Sequence, residues 1–192
     1  MILTPGAILR VGVLLLLAVV LQLSGFSQLG ILGGHIDLVV LVVAAVAYYG
    51  GSIAGCATGF AAGFLLDLAS GATMGVSSLV LTAVGYCVGR YREVRDPSHG
   101  LLPLGVAAAA TGGFVIAFAA VSFMLDIGAS VSPLVIRDAI MTTLLNVLLA
   151  LPVFTGVGKL LRPALKRDPL DMRRRHRPPR ETGPLGLRGL EV

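Results

Sequence analysis

The chain contains no tryptophan, and Asp, Glu, Lys and Arg together make up only 13% of its 192 residues. Soluble domains carry about 25% charged residues to keep their surfaces wetted, so so little charge excludes a water-facing exterior. Without Trp, interfacial anchoring falls to four Tyr and seven Phe. Cysteine is also scarce. Cys56 and Cys87 both lie inside apolar runs, which rules against a disulfide framework or a thiolate metal site. His35, His99 and His176 stand far apart, with no carboxylate or cysteine at ligand spacing. No Walker A run, dinucleotide fingerprint or nucleophile elbow occurs. The residues offer no enzyme and call for no cofactor.

What the chain has instead is apolar length. Hydrophobic residues make up 56% of it, and the mean hydropathy is +0.91. Six apolar runs, at about 8–23, 36–49, 52–68, 74–89, 101–125 and 133–161, approach the ~20 residues that cross a hydrocarbon core of ~30 Å. They predict an all-α polytopic membrane protein, a six-transmembrane-helix bundle over 1–161. The first run follows a single Arg and resembles a signal peptide. It lacks a small-x-small cleavage site, so an uncleaved first helix is expected. Residues 162–192, rich in Arg, Pro and Gly, have little to bury and read as a disordered tail.

The net charge of +5 invites a nucleic-acid reading, but its distribution argues otherwise. Arg10 precedes or opens the first run, Arg90, Arg92 and Arg95 fall between the fourth and fifth, and ten Lys and Arg lie from Lys159 onward. Only Arg137 stands apart from these. Six spans with both termini in the cytoplasm place all the others on one side, as the positive-inside rule requires. Five spans would split them. A multi-pass membrane protein with cytoplasmic termini follows, and no nucleic-acid partner is expected. The cluster Arg173, Arg174, Arg175 and Arg177 suits anionic lipid head groups, or serves only to hold the topology.

Three patterns mark candidate functional residues. Gly51, Gly55, Gly59 and Gly63 recur every fourth residue, and Asp67, Gly71 and Gly75 continue the spacing. Residues four apart share a helix face, and a face without side chains lets another helix approach closely. The stripe is therefore read as a helix-packing and partner face with a carboxylate at its outer end, ~24 Å from Gly51 at the helical rise. An outer polar cluster is expected from Asp37, Asp67, Asp126 and Asp138 around Arg137. It fits a ligand site, a partner site, or interfacial solvation with Arg137 bridged to Asp67 or Asp126. In the sixth run, Asp138, Thr142 and Asn146 line one face at i, i+4 spacing, followed by Ala150. Thr142 could bond its own backbone and Asn146 a neighbouring helix. Pro152 is expected to kink that helix.

The stretch G-x3-G-F-x2-G-F-L-L-D-L-x-S-G-x3-G, from Gly55 to Gly75, followed by Gly85-Tyr86 and Gly89 before a basic loop, resembles the rod shape-determining MreD family. Asp37-Leu38 opening an apolar helix and Asn146 to Pro152 (N-V-L-L-A-L-P) add to the resemblance, which covers most of residues 30–160. Ile36 stands where family members often carry Pro, and the Arg-Pro tail is not general to the family. The resemblance implies a non-catalytic membrane scaffold of the cell-elongation machinery that makes peptidoglycan. Its implied contacts are an MreC-like protein, a RodA-like glycosyltransferase, a class B penicillin-binding transpeptidase and the MreB cytoskeleton. The family is also similar in fold to the substrate-binding subunits of energy-coupling-factor transporters. That supplies the rival reading, a subunit for small-molecule (vitamin-type) uptake. Such subunits usually carry an Ala-x3-Ala coupling motif in the first helix, which is missing from ILRVGVLLLLAVVLQL. A channel or proton-coupled carrier would need a continuous polar path, and only the sixth run offers polar residues.

Overall fold

The shortest helix is the most deeply buried. In the computed structural model, residues 5–26, 34–71, 73–94, 102–125 and 133–161 are described. They form six helices: α1 (Pro5–Leu21, continuing into a π turn at Gln22–Phe26), α2 (Leu38–Gly50), α3 (Ser52–Ser70), α4 (Val76–Val94), α5 (Leu102–Met124) and α6 (Pro133–Leu161). Among the described residues there are no β-strands apart from one isolated bridge residue at Gly34. The sequence of α2, LVVLVVAAVAYYG, is apolar on every side, the pattern of a helix with no solvent face. Accordingly Val39 through Tyr48 are all buried, and the other five helices all pack around α2.

Helix α1 shows the opposite arrangement. Val11, Leu15, Ala18 and Val19 turn inward while Leu9, Val13, Leu16 and Leu17 are exposed. Both faces are apolar, so the outer one is suited to lipid rather than water. Helices α3, α5 and α6 are long and apolar enough to cross a membrane. Helices α1 and α2 are apolar but shorter, and the last turns of α4 carry Arg90, Arg92 and Glu93. Of the six expected spans, three therefore meet the length and composition of a crossing helix without help. The case of α2 is instructive: its 13 residues reach only ~20 Å at 1.5 Å per residue.

Long-range contacts establish which ends lie together. The Arg10 guanidinium donates to the Leu160 carbonyl (3.3 Å) and Arg92 to the Tyr49 carbonyl (3.2 Å). Gly158 lies against the Tyr49 ring. The start of α1 and the ends of α2, α4 and α6 thus share one end of the bundle, here called the arginine end. The α3–α4 turn and the start of α2 lie at the other. Helix α6 runs on through Pro152 without a break.

Candidate functional site

The glycine stripe of α3 meets α4 of the same chain. A Cβ built on Gly55 would collide with the Gly85 backbone, and one on Gly85 with the Gly55 backbone. Gly89 sits against Gly51 and Ser52, Gly59 against the Leu81 carbonyl, and Gly63 against Ser77 and Ser78. As α3 advances by four residues α4 retreats by three or four, which describes an antiparallel pair in backbone-to-backbone contact. Of the two roles expected for the stripe, Gly51 to Gly63 serve helix packing, against α4. Gly71 and Gly75 do not extend it. Helix α3 ends at Ser70, and both glycines lie in the turn at positive φ (66° and 100°) with open space where a Cβ would be. They are there because that backbone conformation is strained for other residues.

Asp67 closes the far end of this zipper. It is only 1% exposed. Its Oδ2 accepts the Gly75 N–H at 2.8 Å and, at a longer 3.5 Å, the Ser78 N–H. The donors are the residue just before α4 and the third residue of that helix, where orphan N–H groups and the positive dipole end suit a carboxylate. Asp67 thus caps the neighbouring helix. Its Oδ1 has no partner among the described residues. Among the described residues Arg137 forms no ion pair with Asp37, Asp67 or Asp138; Arg137 is exposed and Asp138 half-buried. Among the described residues the ion pair present is Arg90–Glu93, at the opposite end. Asp126 lies outside the described residues, as does the whole 162–192 tail with Arg173, Arg174, Arg175 and Arg177.

A second polar assembly surrounds the start of α2. Residues 34–37 precede the helix in non-helical conformation, and backbone of that kind at membrane depth survives only where protein groups satisfy it. Here α6 supplies them. The His35 N–H donates to Thr142 Oγ1 (3.1 Å) and the Asp37 N–H to Asn146 Oδ1 (3.0 Å). The Asn146 amide in turn donates to Thr111 Oγ1 of α5 (3.2 Å). From the π turn after α1, Gln22 Oε1 accepts the Val39 N–H (2.9 Å), and its amide reaches Asp37 Oδ1 at 3.4 Å. Thr111, Thr142 and Asn146 are all at most 1% exposed. The polar stripe of α6 thus serves the segment before α2. Asn146 bonds neighbouring elements as expected. Thr142 accepts a bond from His35, while its neighbour Thr143 takes the local route, donating to the Ala139 carbonyl (2.8 Å). Gly34 has no room for a side chain, because a Cβ there would sit 2.7 Å from that of Met141.

At the arginine end, charged side chains read from sequence only as loop charge fasten the helix ends. Glu93 Oε1 accepts both the Ser52 N–H (2.9 Å) and the Ser52 hydroxyl (2.7 Å). The Ser52 backbone bond, then its hydroxyl, hold the Glu93 carboxyl below its usual range, with Arg90 adding to the effect. Glu93 thereby satisfies the N-terminus of α3, just as Asp67 satisfies that of α4. Arg92 covers the C-terminal carbonyl of Tyr49 and lies over the Tyr48 ring, 5.8 Å from its centroid. Gln22, Thr111 and Glu93 were missed as site residues. A lone Gln in an apolar run was the available signal for the first. The other two depend on partners 35 and 41 residues away.

Most of the hydrogen bonds these side chains make are to backbone groups at helix ends and before α2. Among the described residues no three His, Cys, Asp or Glu side chains converge as metal ligands. No curated protein and no solved structure matches the chain significantly. The family model of MreD, the rod shape-determining protein, matches residues 6–162 and so spans all six helices. The chain belongs to the MreD family of rod shape-determining membrane proteins.

Proposed function

We propose that the chain is a non-catalytic scaffold of the bacterial cell-elongation complex, embedded in the cytoplasmic membrane with both termini in the cytoplasm. The family match over residues 6–162 carries this reading. Its partners would be an MreC-like protein, a RodA-like glycosyltransferase and a class B penicillin-binding transpeptidase, with the MreB cytoskeleton beneath. The interior supports a structural role. Buried Asp67, Thr142 and Asn146 and half-buried Gln22 bond helix ends and the lead-in of α2. The vitamin-uptake reading draws less support, since the Ala-x3-Ala coupling motif is missing from the first helix. In the same scheme the Arg173–Arg177 cluster would hold the tail against anionic lipid.

Depletion of the protein in its native cell is the test. Rod-to-sphere rounding, together with loss of MreC-like and RodA-like proteins from the purified membrane complex, is the expected result. Normal rods with impaired uptake of a vitamin would overturn the scaffold reading in favour of its rival.

A further inference from the structure

Asp37 stands immediately before α2, where an acidic side chain ordinarily caps its own helix. It makes no such bond. The capping is done by Gln22, whose Oε1 accepts the Val39 N–H. The Asp37 carboxylate is left with one long contact, the Gln22 amide at 3.4 Å from Oδ1. Among the described residues Oδ2 has no partner. Yet Asp37 is only 8% exposed. Asp67 shows the contrasting case in the same bundle. Its Oδ2 accepts two N–H groups at the start of α4, and its Oδ1 is sealed from solvent. Asp37 Oδ2 is not sealed in that way, so the oxygen without a donor is also one that can be reached from outside.

No cation among the described residues neutralises this carboxylate. His35 is exposed, and Arg137 lies nine residues before Asn146, about 14 Å further along α6. Neither forms an ion pair with Asp37. A carboxylate buried without a counter-charge is strongly unfavourable and is kept where it meets a partner. A metal ion is a poor match, because hard cations take about six or more oxygens. The nearby oxygens of Gln22, Thr142 and Asn146 already accept backbone N–H groups. One open carboxylate oxygen suits one cation that carries N–H groups, an ammonium or a guanidinium. Access to so deeply buried a residue selects the slim apolar stem of Lys or Arg, with its charge at the tip. A lipid ammonium would bring its own phosphate up to the carboxylate.

We infer that Asp37 is the receptor for a Lys or Arg side chain of a partner protein, inserted at the start of α2 from the end opposite the arginine end and paired with Oδ2. This names a contact for the partners of the scaffold reading, and it rests on that reading in only one of the two experiments that test it.

The first experiment uses the full-length protein alone in detergent, with Asp37→Asn keeping the shape and the Gln22 contact while removing the charge. Ethylguanidinium chloride at millimolar concentration should raise the wild-type melting midpoint by about 2–4 °C over equal potassium chloride, and leave Asp37→Asn unmoved. Without the probe Asp37→Asn should melt no lower than wild type, because the charge it removes has no counter-charge in the isolated chain. A lower midpoint for Asp37→Asn would show the carboxylate already committed inside the bundle and overturn the inference. So would the lack of an ethylguanidinium shift. Phosphatidylethanolamine that reproduces the shift in wild type alone would assign the site to a lipid, and the protein partner would fall. In the second experiment Asp37→Asn should lower recovery of the MreC-like and RodA-like proteins with the purified chain at least ten-fold, at normal membrane levels. Full recovery overturns the inference. Should wild type itself recover neither protein, the scaffold reading fails, and the ethylguanidinium result alone decides the role of Asp37.

Discussion

Replacing Gly59 by alanine adds a single methyl group where the structure has no space for it. The new Cβ would stand 2.7 Å from the carbonyl carbon of Leu81, and closer still to its oxygen. Ordinary contact begins near 3.4 Å, so α4 must retreat by on the order of 1 Å. A radial gap of 0.5–1 Å forfeits a quarter to a half of each dispersion well of ~0.1–0.2 kcal/mol. If the zipper holds some forty atom pairs, comparable to one buried Leu, the loss is about 1–4 kcal/mol, in the range measured for overpacked cores. The higher helix propensity of Ala returns up to ~1 kcal/mol of that. Gly112→Ala, also within a helix but with nothing near its added methyl, receives that return without the loss. Denaturation of both variants in mixed micelles should therefore show Gly59→Ala destabilised by up to about 3 kcal/mol, and by about 1–4 kcal/mol relative to Gly112→Ala, which is neutral to slightly stabilised. Adding Gly55→Ala to Gly59→Ala should cost less than the sum of the two, because the helices are already apart. Equal stabilities for Gly59→Ala and Gly112→Ala would refute the close-packing argument.

Asp67→Asn keeps the shape and one acceptor at the start of α4 but removes the charge from its dipole end; a loss of ~0.5–2 kcal/mol in the same assay is expected, and a larger one for Asp67→Ala, which leaves the Gly75 N–H unpaired. Asn146→Leu strips the Asp37 N–H and Thr111 hydroxyl of their partner inside the bundle and should cost at least ~2 kcal/mol, detectable also as faster amide exchange at residues 35–39. Stability should depend on pH through Glu93: its carboxyl is depressed by Ser52, so the contribution is complete above the ordinary Glu range and disappears as pH falls through the lower folded-state value. Glu93→Gln should flatten that acid limb, and a limb of unchanged shape would remove Glu93 from the account. In a background with Cys56 and Cys87 replaced, Ser98→Cys and Arg180→Cys should both resist an impermeant thiol reagent in intact cells; labelling of either from outside contradicts the six-span orientation.

The zipper was half legible. Spacing of four marked Gly51 to Gly63 as one bare helix face, but a periodicity on one helix does not say which neighbour fills it. The reciprocal spacing lay in α4, at Gly85 and Gly89, and became meaningful only once the turn folded α4 back. The same arithmetic carried Gly71 and Gly75 into the face, because distance along the chain does not reveal where helical backbone ends. Asp37 and Asp67 look alike in sequence, acidic residues at the margin of apolar runs, and both are expected in one outer polar cluster. Both are buried instead, the first against Asn146, 109 residues away, and the second under the turn it caps. Burial set by distant partners leaves no local trace. The completeness of α2's burial was closer to hand, since a run of Val, Leu and Ala without periodicity has no side to expose.

The pairing of α2 with α6 also sets an order in time. The central helix is made early in synthesis, yet two of the hydrogen bonds that close its approach come from Thr142 and Asn146, more than a hundred residues later. Until α6 enters, the His35 and Asp37 N–H groups face hydrocarbon at several kcal/mol each, or remain at the wet boundary with α2 not fully seated. A ribosome-bound chain cut before residue 142 therefore holds its core helix in an unfinished position. The protein's middle is assembled first and secured last, and any quality-control factor that senses exposed backbone in the bilayer has the whole interval between α2 and α6 in which to act.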